Sequence, residues 1–174
     1  AEKEDANLQH EQDVSVPKNS MQETGMNSAR VQGLELWMFE KAQVDGREQR
    51  PTFWIRAATG EADENMNSTM TNPRSVIYDD DGGEIVLTSK TGYFDQESQR
   101  AILRGDVLVV TDGAEFTMSE ITWDNDLGSA FTDTGTILKS ESAHLEAEGL
   151  TINPKTDRIE MRNVTGTIKL GELN

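Results

Sequence analysis

Residues that could carry out catalysis are few in this sequence, and none stands in a pattern that a known reaction requires. The two histidines are His10, in a polar N-terminal segment, and His144, at the start of a predicted strand. Neither has a serine near it in a recognisable triad motif, and isolated histidines of this kind usually lie on the surface. The sequence therefore predicts no catalytic residue, no enzymatic activity and no cofactor.

Carboxylates are plentiful, but the two clusters that could bind an ion or titrate are typical of turns. Residues 79–81 (DDD) precede Gly82-Gly83, a combination that builds hairpin turns and would leave an acid–base pair in water. Residues 124–128 (DNDLG) resemble the start of a calcium loop, but its twelfth position holds Gly135 instead of glutamate. We therefore predict β-turns at both places and no metal site.

Three kinds of side chain remain to be assigned. Cysteine is absent, which excludes disulfides, thiol nucleophiles and cysteine-based zinc sites. Trp37, Trp54 and Trp123 are predicted to cover the core of a thin sandwich. Asn67 and Asn163 each begin a glycosylation sequon, but a three-residue pattern often arises by chance. We interpret both asparagines as unmodified residues at strand ends.

Composition limits the class of protein and its partners. The chain has 174 residues, of which 34% are hydrophobic, enough for one thin core. With 16 Lys and Arg against 32 Asp and Glu, the formal charge is −16, and such a field repels phosphate backbones. Nucleic acid is therefore not an expected partner. No apolar stretch reaches the roughly 18 residues that span a bilayer, so we expect any signal peptide or anchor helix upstream of Ala1.

The chain divides into two parts. Residues 1–29 are polar and acidic, and their few apolar residues follow no sustained period, so a linker is predicted, with room for a short helix over residues 2–12. In residues 30–174, short β-branched and aromatic runs alternate with Asp-Gly, Gly-Gly and Asn-Pro turns. This texture predicts one all-β domain.

An internal repeat organises the β domain. Four stretches align, namely residues 53–63 (FWIRAATGEAD), 85–95 (IVLTSKTGYFD), 114–124 (AEFTMSEITWD) and 143–153 (AHLEAEGLTIN). Their terminal Asp or Asn residues are 32, 29 and 29 positions apart. A unit of this length holds one hairpin and is too short for a propeller blade. A second strand follows each stretch, predicted over residues 74–78, 101–110, 131–138 and 159–170.

Stacked hairpins that share an apolar face predict two antiparallel sheets facing one another, a jelly-roll-like sandwich. Residues 29–40 would form its opening strand, Asp45-Gly46 would turn the chain into the first repeat, and a bulge is required near Asn163. Alternation places every second residue of a strand on the inner face. The inward-facing residues are Leu34, Leu36, Met38, Phe53, Ile55, Ile85, Leu87, Leu103, Val107, Val109, Phe116, Met118, Leu138 and Leu145.

Five segments, in a fixed order, carry a resemblance to a known family. They are ARVQGLELWMFE (29–40), PTFWIRAATGEAD (51–63), GEIVLTSKTGYFD (83–95), ILRGDVLVVTDGAEFTMSEITWD (102–124) and HLEAEGLTINPKTDRIEMRNVTG (144–166). The most specific pieces are residues 92–95 (GYFD), residues 103–107 (LRGDV) and Gly149-Leu150 with Asn153. Together these segments resemble the LptC family of lipopolysaccharide export, over about residues 30–170. The soluble bridge protein LptA and the OstA domain share the repeat; the polar tail and the opening strands favour LptC.

The resemblance implies a twisted, open β-jellyroll whose inner face accepts lipopolysaccharide acyl chains. The inward residues above then become lipid-binding candidates, with Ala57, Ser89, Gly105 and Ala147 leaving space between them. Because the net charge cannot attract phosphates, acyl chains would supply the affinity and the head group would stay outside. The protein would be periplasmic, tethered to the inner membrane by an N-terminal helix, and would pass lipid from the ABC transporter to the next jellyroll.

The resemblance also implies that the end strands pair with neighbouring jellyrolls. A transporter permease jellyroll would pair at the N-terminal edge and an LptA-like protein at the C-terminal edge, and edge pairing equally allows two copies of this chain to associate. The last strand, with only Lys169 to block strand addition, suits this use. The edge candidates are Leu36, Trp37 and Met38 at one end and Val164, Thr165, Gly166, Thr167 and Ile168 at the other.

The residues alone are also compatible with two other functions. A structural or adhesive β-repeat module would bind protein or glycan through its edges and outer face, and its interior would be sealed. A glycan hydrolase would need two inward carboxylates, and the inner face offers none. The two hypotheses differ in the interior that they predict: a lipid conduit has a lengthwise groove, and an adhesive module has a sealed core without one.

Overall fold

The computed structural model describes residues 14–15, 22–23, 28–41 and 48–170. Within these residues every regular element is a β-strand and every strand pair is antiparallel, which confirms the predicted all-β class. The strands are β1 Val14–Ser15, β2 Gln22–Glu23, β3 Ser28–Phe39, β4 Pro51–Asp63, β5 Ser68–Thr71, β6 Arg74–Tyr78, β7 Glu84–Thr88, β8 Thr91–Asp95, β9 Arg100–Thr111, β10 Ala114–Asp124, β11 Ser129–Thr132, β12 Thr136–Ser140, β13 Ala143–Ala147, β14 Gly149–Asn153, β15 Arg158–Arg162 and β16 Thr165–Ile168.

The part of the chain that the structure describes contains no helix with the length and apolar character needed to cross a membrane.

The long strands change partners midway, and this divides one continuous sheet into two layers. In β4, residues 53–56 pair with β6 and residues 59–62 pair with β5. The same change occurs along β9 and β10. We call the two halves layer A and layer B. Layer A contains residues 34–39 of β3, 53–57 of β4, β6, β7, residues 107–111 of β9, 114–118 of β10, β12, β13 and β16. Layer B contains residues 28–32 of β3, 59–63 of β4, β5, β8, residues 100–104 of β9, 120–124 of β10, β11, β14 and β15.

Residues with left-handed backbone conformation mark the bend between the layers. Gly33 in β3 and Gly105 in β9 have φ of 75° and 86°, values that glycine adopts without a steric penalty. Asn72 and Asn163 occupy the same kind of position between β5 and β6 and between β15 and β16, with φ of 51° and 53°. A bulge within one strand was predicted near Asn163; the structure has a bend there instead, which separates β15 from β16. Neighbouring bends are hydrogen-bonded to one another, since Lys90 N donates to Gly105 O at 2.9 Å, and the sheet continues through the bend.

Tight turns at the strand tips close the hairpins. The predicted turn at residues 79–83 is confirmed, and Asp79 Oδ1 accepts hydrogen bonds from the amides of Asp81 and Gly83 at 2.9 and 2.6 Å. This carboxylate therefore holds the turn together. The predicted turn at Asp45-Gly46, the predicted helix over residues 2–12 and His10 lie outside the described residues.

The observed strands follow the predicted repeat with three kinds of difference. The bend divides four segments that were each predicted as one strand, because residues 85–95 belong to β7 and β8, 131–138 to β11 and β12, 143–153 to β13 and β14, and 159–170 to β15 and β16. Strand β5 was not predicted; it precedes the bend at Asn72. Strands β1 and β2 lie within the predicted linker and pair with β3. The domain boundary at residues 29/30 stays a prediction, but these two short strands are part of the sheet.

Trp123 lies in the core, as predicted, whereas the prediction is wrong for Trp37 and Trp54. Trp37 pairs with Trp54 across β3 and β4 on the outer face of layer A, because alternation there gives the inner face to aliphatic residues and Phe53. Both rings are half-buried. Trp37 stacks on Tyr78 with ring centroids 6.2 Å apart, and Trp54 Nε1 donates to Glu35 Oε2 at 2.6 Å. These rings form a second, outer apolar cluster.

Candidate functional site

The two layers enclose an apolar interior that contains most of the predicted inward residues. Twelve of the fourteen are buried, and Leu138 and Leu145, both near the C-terminal end, are half-buried. Alternation therefore identified the inner face correctly. Whether any of these residues contacts lipid stays a prediction.

At one end of the interior the layers are joined by a group of side chains that we call the clasp: Phe39, Thr52, Phe53, Trp123 and Asn125. The ring of Phe53, from layer A, stacks on Trp123, from layer B, with centroids 5.6 Å apart and planes at 9°. Asn125 is only 6% exposed. Its Oδ1 accepts from Thr52 Oγ1 at 2.6 Å and from Trp123 Nε1 at 3.3 Å, and its Nδ2 donates to the carbonyl of Phe39 at 2.9 Å. One amide thus connects the tips of both layers.

Charged pairs surround the clasp. Lys41, beyond β3, lies 2.9 Å from Asp126, and Arg100 Nε lies 2.8 Å from Asp124 Oδ2. The other oxygen of Asp124 accepts from the amides of Asp126 and Leu127. The Asp124 side chain is 7% exposed and Arg100 is half exposed, so this pair is better shielded from solvent than the others. The segment that resembled a calcium loop is thus a turn whose first carboxylate is engaged by amides and a guanidinium.

We call this end of the interior the mouth. Further along the mouth from the clasp, the layers separate and leave a cavity of about 490 Å³, which we call the open cleft. It lies between the tips of β6–β7 and β9–β10 in layer A and the tip of β14–β15 in layer B. Its apolar lining consists of Ile85, Ala114, Phe116, Ile152 and Ile159. Between the clasp and the open cleft the space narrows to a cavity of about 20 Å³ beside Tyr78, Trp123 and Pro154. The mouth is therefore closed at the clasp and open toward the C-terminal strands.

The rim of the open cleft is acidic. Asp79, Glu84, Asp112 and Asp157 line it, against the single guanidinium of Arg158. Arg158 also lies 3.5 Å from Glu160, which offsets part of its charge. A ligand in this cleft would contact apolar side chains at the bottom and carboxylates at the edge. A phosphate at the rim would be repelled, so the geometry favours apolar chains inside and an anionic group kept away from the mouth.

The predicted small residues do not enlarge the open cleft. Ala57, Ser89 and Ala147 are buried, and neither they nor Gly105 lines it. A Cβ at Gly105 would lie 2.9 Å from the Lys90 Cβ atom, at the bend. The prediction that Gly105 leaves space for acyl chains is therefore wrong, because its role is to turn the strand.

The C-terminal end of the sheet is exposed. Every residue of β16 is exposed, and the apolar side chains of Val164, Ile168 and Leu170 are 43%, 59% and 68% exposed. Among the described strands, β16 pairs only with β13 and β15 pairs only with β14. Their outer edges offer backbone groups for strand addition. At the other end, β3 pairs with β4 on one side and with β1 and β2 on the other.

Tyr78 belongs to the outer aromatic cluster and also borders the narrow cavity beside the clasp. Burial raises the pKa of its hydroxyl, and the nearby carboxylates of Glu84 and Glu35 raise this pKa further. The phenol therefore stays protonated well into the alkaline range. His144, by contrast, is exposed on β13, 3.9 Å from Glu146, which confirms its predicted surface position.

Sequence reasoning did not place Phe94 and Ile152 in the interior, and the repeat held a signal for both, which Trp123 shares. Phe94, Trp123 and Ile152 each precede the terminal Asp or Asn of a repeat, and each is at most 2% exposed. The aligned position of the first repeat is the buried Ala62. Asn125 was also missed, because its partners are distant: Phe39 is 86 residues away in the chain.

A bent, two-layer antiparallel sheet that leaves a cleft at its mouth defines an open β-jellyroll. The model of one protein family, described as lipopolysaccharide-assembly, LptC-related, matches residues 2–169. The chain therefore belongs to the LptC family, as its resemblance indicated. No curated protein sequence matches the chain significantly. Family membership makes the protein a component of lipopolysaccharide transport in the cell envelope, associated with the periplasm, and its general partners are lipopolysaccharide and the proteins of the export bridge.

Proposed function

We propose that this protein binds lipopolysaccharide in the periplasm with the acyl chains between the two layers, receiving the lipid from the inner-membrane ABC transporter and passing it to the next jellyroll. The observation that carries the proposal is the open cleft, a space at the mouth of the jellyroll that is lined by both apolar and charged side chains. Ile85 and Phe116, which the sequence selected as lipid contacts, line it. Each methylene buried there would contribute about 0.8 kcal/mol.

The acidic rim supports a particular orientation of the lipid. With four carboxylates and one guanidinium at the cleft, the phosphorylated head group is better placed away from the mouth, in solvent. Affinity then comes from the acyl chains, and screening of the rim by salt favours binding. Acyl chains would contact the other inward residues, among them Leu103 and Val107, if the two layers separate further toward the clasp.

Photo-crosslinking tests the proposal. A photoreactive amino acid replaces Phe116 or Ile85, which face the cleft, or their outward neighbours Thr117 and Val86, and purified lipopolysaccharide micelles are the ligand. We expect lipid capture at positions 116 and 85 and little at positions 117 and 86. Equal capture on both faces, or none at the inward positions, would contradict the proposal.

The uncovered C-terminal strands support a second part of the proposal, that an LptA-like jellyroll adds its strand at β16. Ile168→Pro removes a backbone donor from the outer edge of this strand, because the amides of Thr167 and Lys169 face β13, and it should weaken co-purification with an LptA-type protein. Thr156→Pro, in the exposed turn between β14 and β15, is the matched control. At the other end, a transporter permease jellyroll would pair with β3 near Leu36, Trp37 and Met38. The proposed tether is an N-terminal helix that precedes the domain.

A second function, the binding of protein or glycan through the outer face, is favoured by one observation. Trp37, Trp54 and Tyr78 form an apolar cluster on the outside of layer A, with the guanidinium of Arg56 5.4 Å from the Trp54 ring centre. Aromatic rings of this kind stack on sugars and on protein side chains. Trp37→Ala distinguishes the two functions. It should weaken binding of protein or glycan to the outer face and leave lipid capture at position 116 unchanged.

A further inference from the structure

The free edge of β3 is covered by the chain's own upstream segments. Val14 and Ser15 of β1 lie opposite Leu36 and Glu35, and Gln22 and Glu23 of β2 lie opposite Arg30 and Ala29. Both short strands run antiparallel to β3 and pair on the side that β4 does not use. The edge that would receive a partner's strand at Leu36 is therefore occupied in the isolated protein.

This cover is short compared with the edge that it protects. Each of β1 and β2 has two residues, whereas β3 has twelve and pairs with β4 over nearly its whole length. A two-residue ladder contributes few hydrogen bonds, and isolated short pairings are marginal in water. An incoming strand of eight or more residues would replace both ladders and add pairs between them. The cover can therefore be displaced by a longer strand.

We propose that β1 and β2 form an intramolecular guard on the β3 edge, and that a partner's strand pairs there only by displacing them. The inference rests on the proposed function in one respect, that a jellyroll partner adds a strand to β3. The displacing strand should carry apolar residues at alternate positions, because Leu34, Leu36 and Met38 face the interior on this edge.

The exposed edge at the opposite end of the sheet explains why a guard on β3 would be useful. The outer edge of β16 has no partner among the described strands, so an unguarded β3 would be free to pair with β16 of a second copy. Contacts between two different edges of the same molecule do not close and can continue into filaments. A guard on one edge prevents this while leaving the protein able to accept a longer strand.

A reversible disulfide lock tests the guard in the chain of residues 1–174. Ser15 and Glu35 are directly opposed and the chain has no cysteine, so Ser15→Cys with Glu35→Cys places one disulfide across the guard and β3. The probe is a fluorescent synthetic peptide of residues 162–170, which contains β16. A cysteine pair at Glu61 and Thr69, opposed between β4 and β5, is the matched control.

We expect the reduced protein to bind the peptide about tenfold more tightly than the oxidised one. In the reduced protein the guard can leave the β3 edge in a substantial fraction of molecules, whereas in the oxidised protein the disulfide holds it in place. The control pair should show no redox effect. Ser15→Pro with Gln22→Pro, which weakens the guard without a disulfide, should bind at least as tightly as the reduced protein. Equal affinity in the locked and unlocked forms, or no binding to any form, would overturn the guard.

Lipid capture at position 116 is measured in the same samples. If lipid is captured there while the oxidised and reduced forms bind the peptide with equal affinity, the guard hypothesis is wrong and the proposed lipid function stands. If position 116 captures no lipid, the lipid function fails whatever the peptide does.

Discussion

The two ends of the jellyroll mouth are built from the same repeat and yet differ in packing. At the clasp, an aromatic stack and the buried amide of Asn125 join layers A and B. At the open cleft, the corresponding tips stand apart, and Phe116 and Ile152 border a cavity of about 490 Å³. The strands that follow, β15 and β16, are largely exposed.

The difference places close packing at the clasp and the proposed lipid binding at the open cleft, in different parts of one sheet. An interior packed like that at the clasp leaves no room for a guest, whereas an unfilled apolar space must be maintained by well-packed neighbours. The clasp therefore provides the rigid end against which the open cleft can be held. Four comparisons between variants test this assignment.

The largest expected effect is that of Phe53→Ala in the clasp. Phe53 is fully buried and stacked on Trp123, so its loss creates a cavity and should lower the free energy of unfolding by about 3 to 5 kcal/mol. Phe116→Ala, beside the open cleft, enlarges a space that already exists and should lose clearly less. Urea unfolding of both variants measures the contrast; equal losses would mean that the two ends are packed alike.

The next effect is that of Asn125→Ala. The substitution leaves the Phe39 carbonyl and the Trp123 Nε1 without their partner, and should cost about 2 to 3 kcal/mol because these groups are shielded from water. Amide hydrogen exchange near Phe39 should quicken as the layers part. Asn153→Ala is the control, since this asparagine caps an exposed turn at the open end through the Lys155 amide. If both variants behave alike, the clasp does not depend on the Asn125 amide.

A smaller contrast comes from the same substitution at two glycines. A Cβ at Gly60 would lie 2.5 Å from the Thr69 carbonyl, inside layer B, and a Cβ at Gly166 would lie 2.2 Å from the His144 carbonyl, at β16. Gly60→Ala should cost on the order of 1 to 2 kcal/mol, because β5 is held on both sides and cannot move away. Gly166→Ala should release β16 with little change in global stability. Hydrogen exchange of β13 and β16 distinguishes local release from general unfolding.

Much of this architecture was predictable because the inner face and the hairpins are local patterns. Alternating apolar residues identified the core strands, and the acidic run before Gly82-Gly83 identified the turn at residues 79–83. The position before the terminal Asp or Asn of a repeat, held by Phe94, Trp123 and Ile152 in three of the four, is buried and carried a further signal that alternation alone did not reveal. Local periodicity therefore contains most of the information for the inner face.

The clasp, the guard and the position of the open cleft were not predictable in the same way. Asn125 reaches partners on β3 and β4 that only the bending of the sheet brings near. Strands β1 and β2 have two residues each, too few for a period to show. Trp37 and Trp54 were expected to cover the core because tryptophan usually does, whereas their register across β3 and β4 places both outside.

The smallest expected effect probes the boundary between the two ends through pH. Burial, then Glu84 and Glu35, raise the pKa of Tyr78 in the folded protein, so the folded state keeps the phenolic proton after the unfolded chain has lost it. The contribution of this tyrosine to stability is complete below about pH 10 and declines as pH rises toward the folded pKa. Tyr78→Phe should therefore flatten the alkaline fall in unfolding free energy, measured by urea titration between about pH 9 and pH 11. Tyr93→Phe, on the outer face of layer B, is the matched variant for the other tyrosine of the chain. Glu84 also lines the open cleft. If the charge at the rim acts on Tyr78, the effect of Tyr78→Phe on the alkaline fall in unfolding free energy should be smaller in a protein that also carries Glu84→Gln. An unchanged slope of unfolding free energy against pH would show that the clasp and the cleft are electrostatically separate.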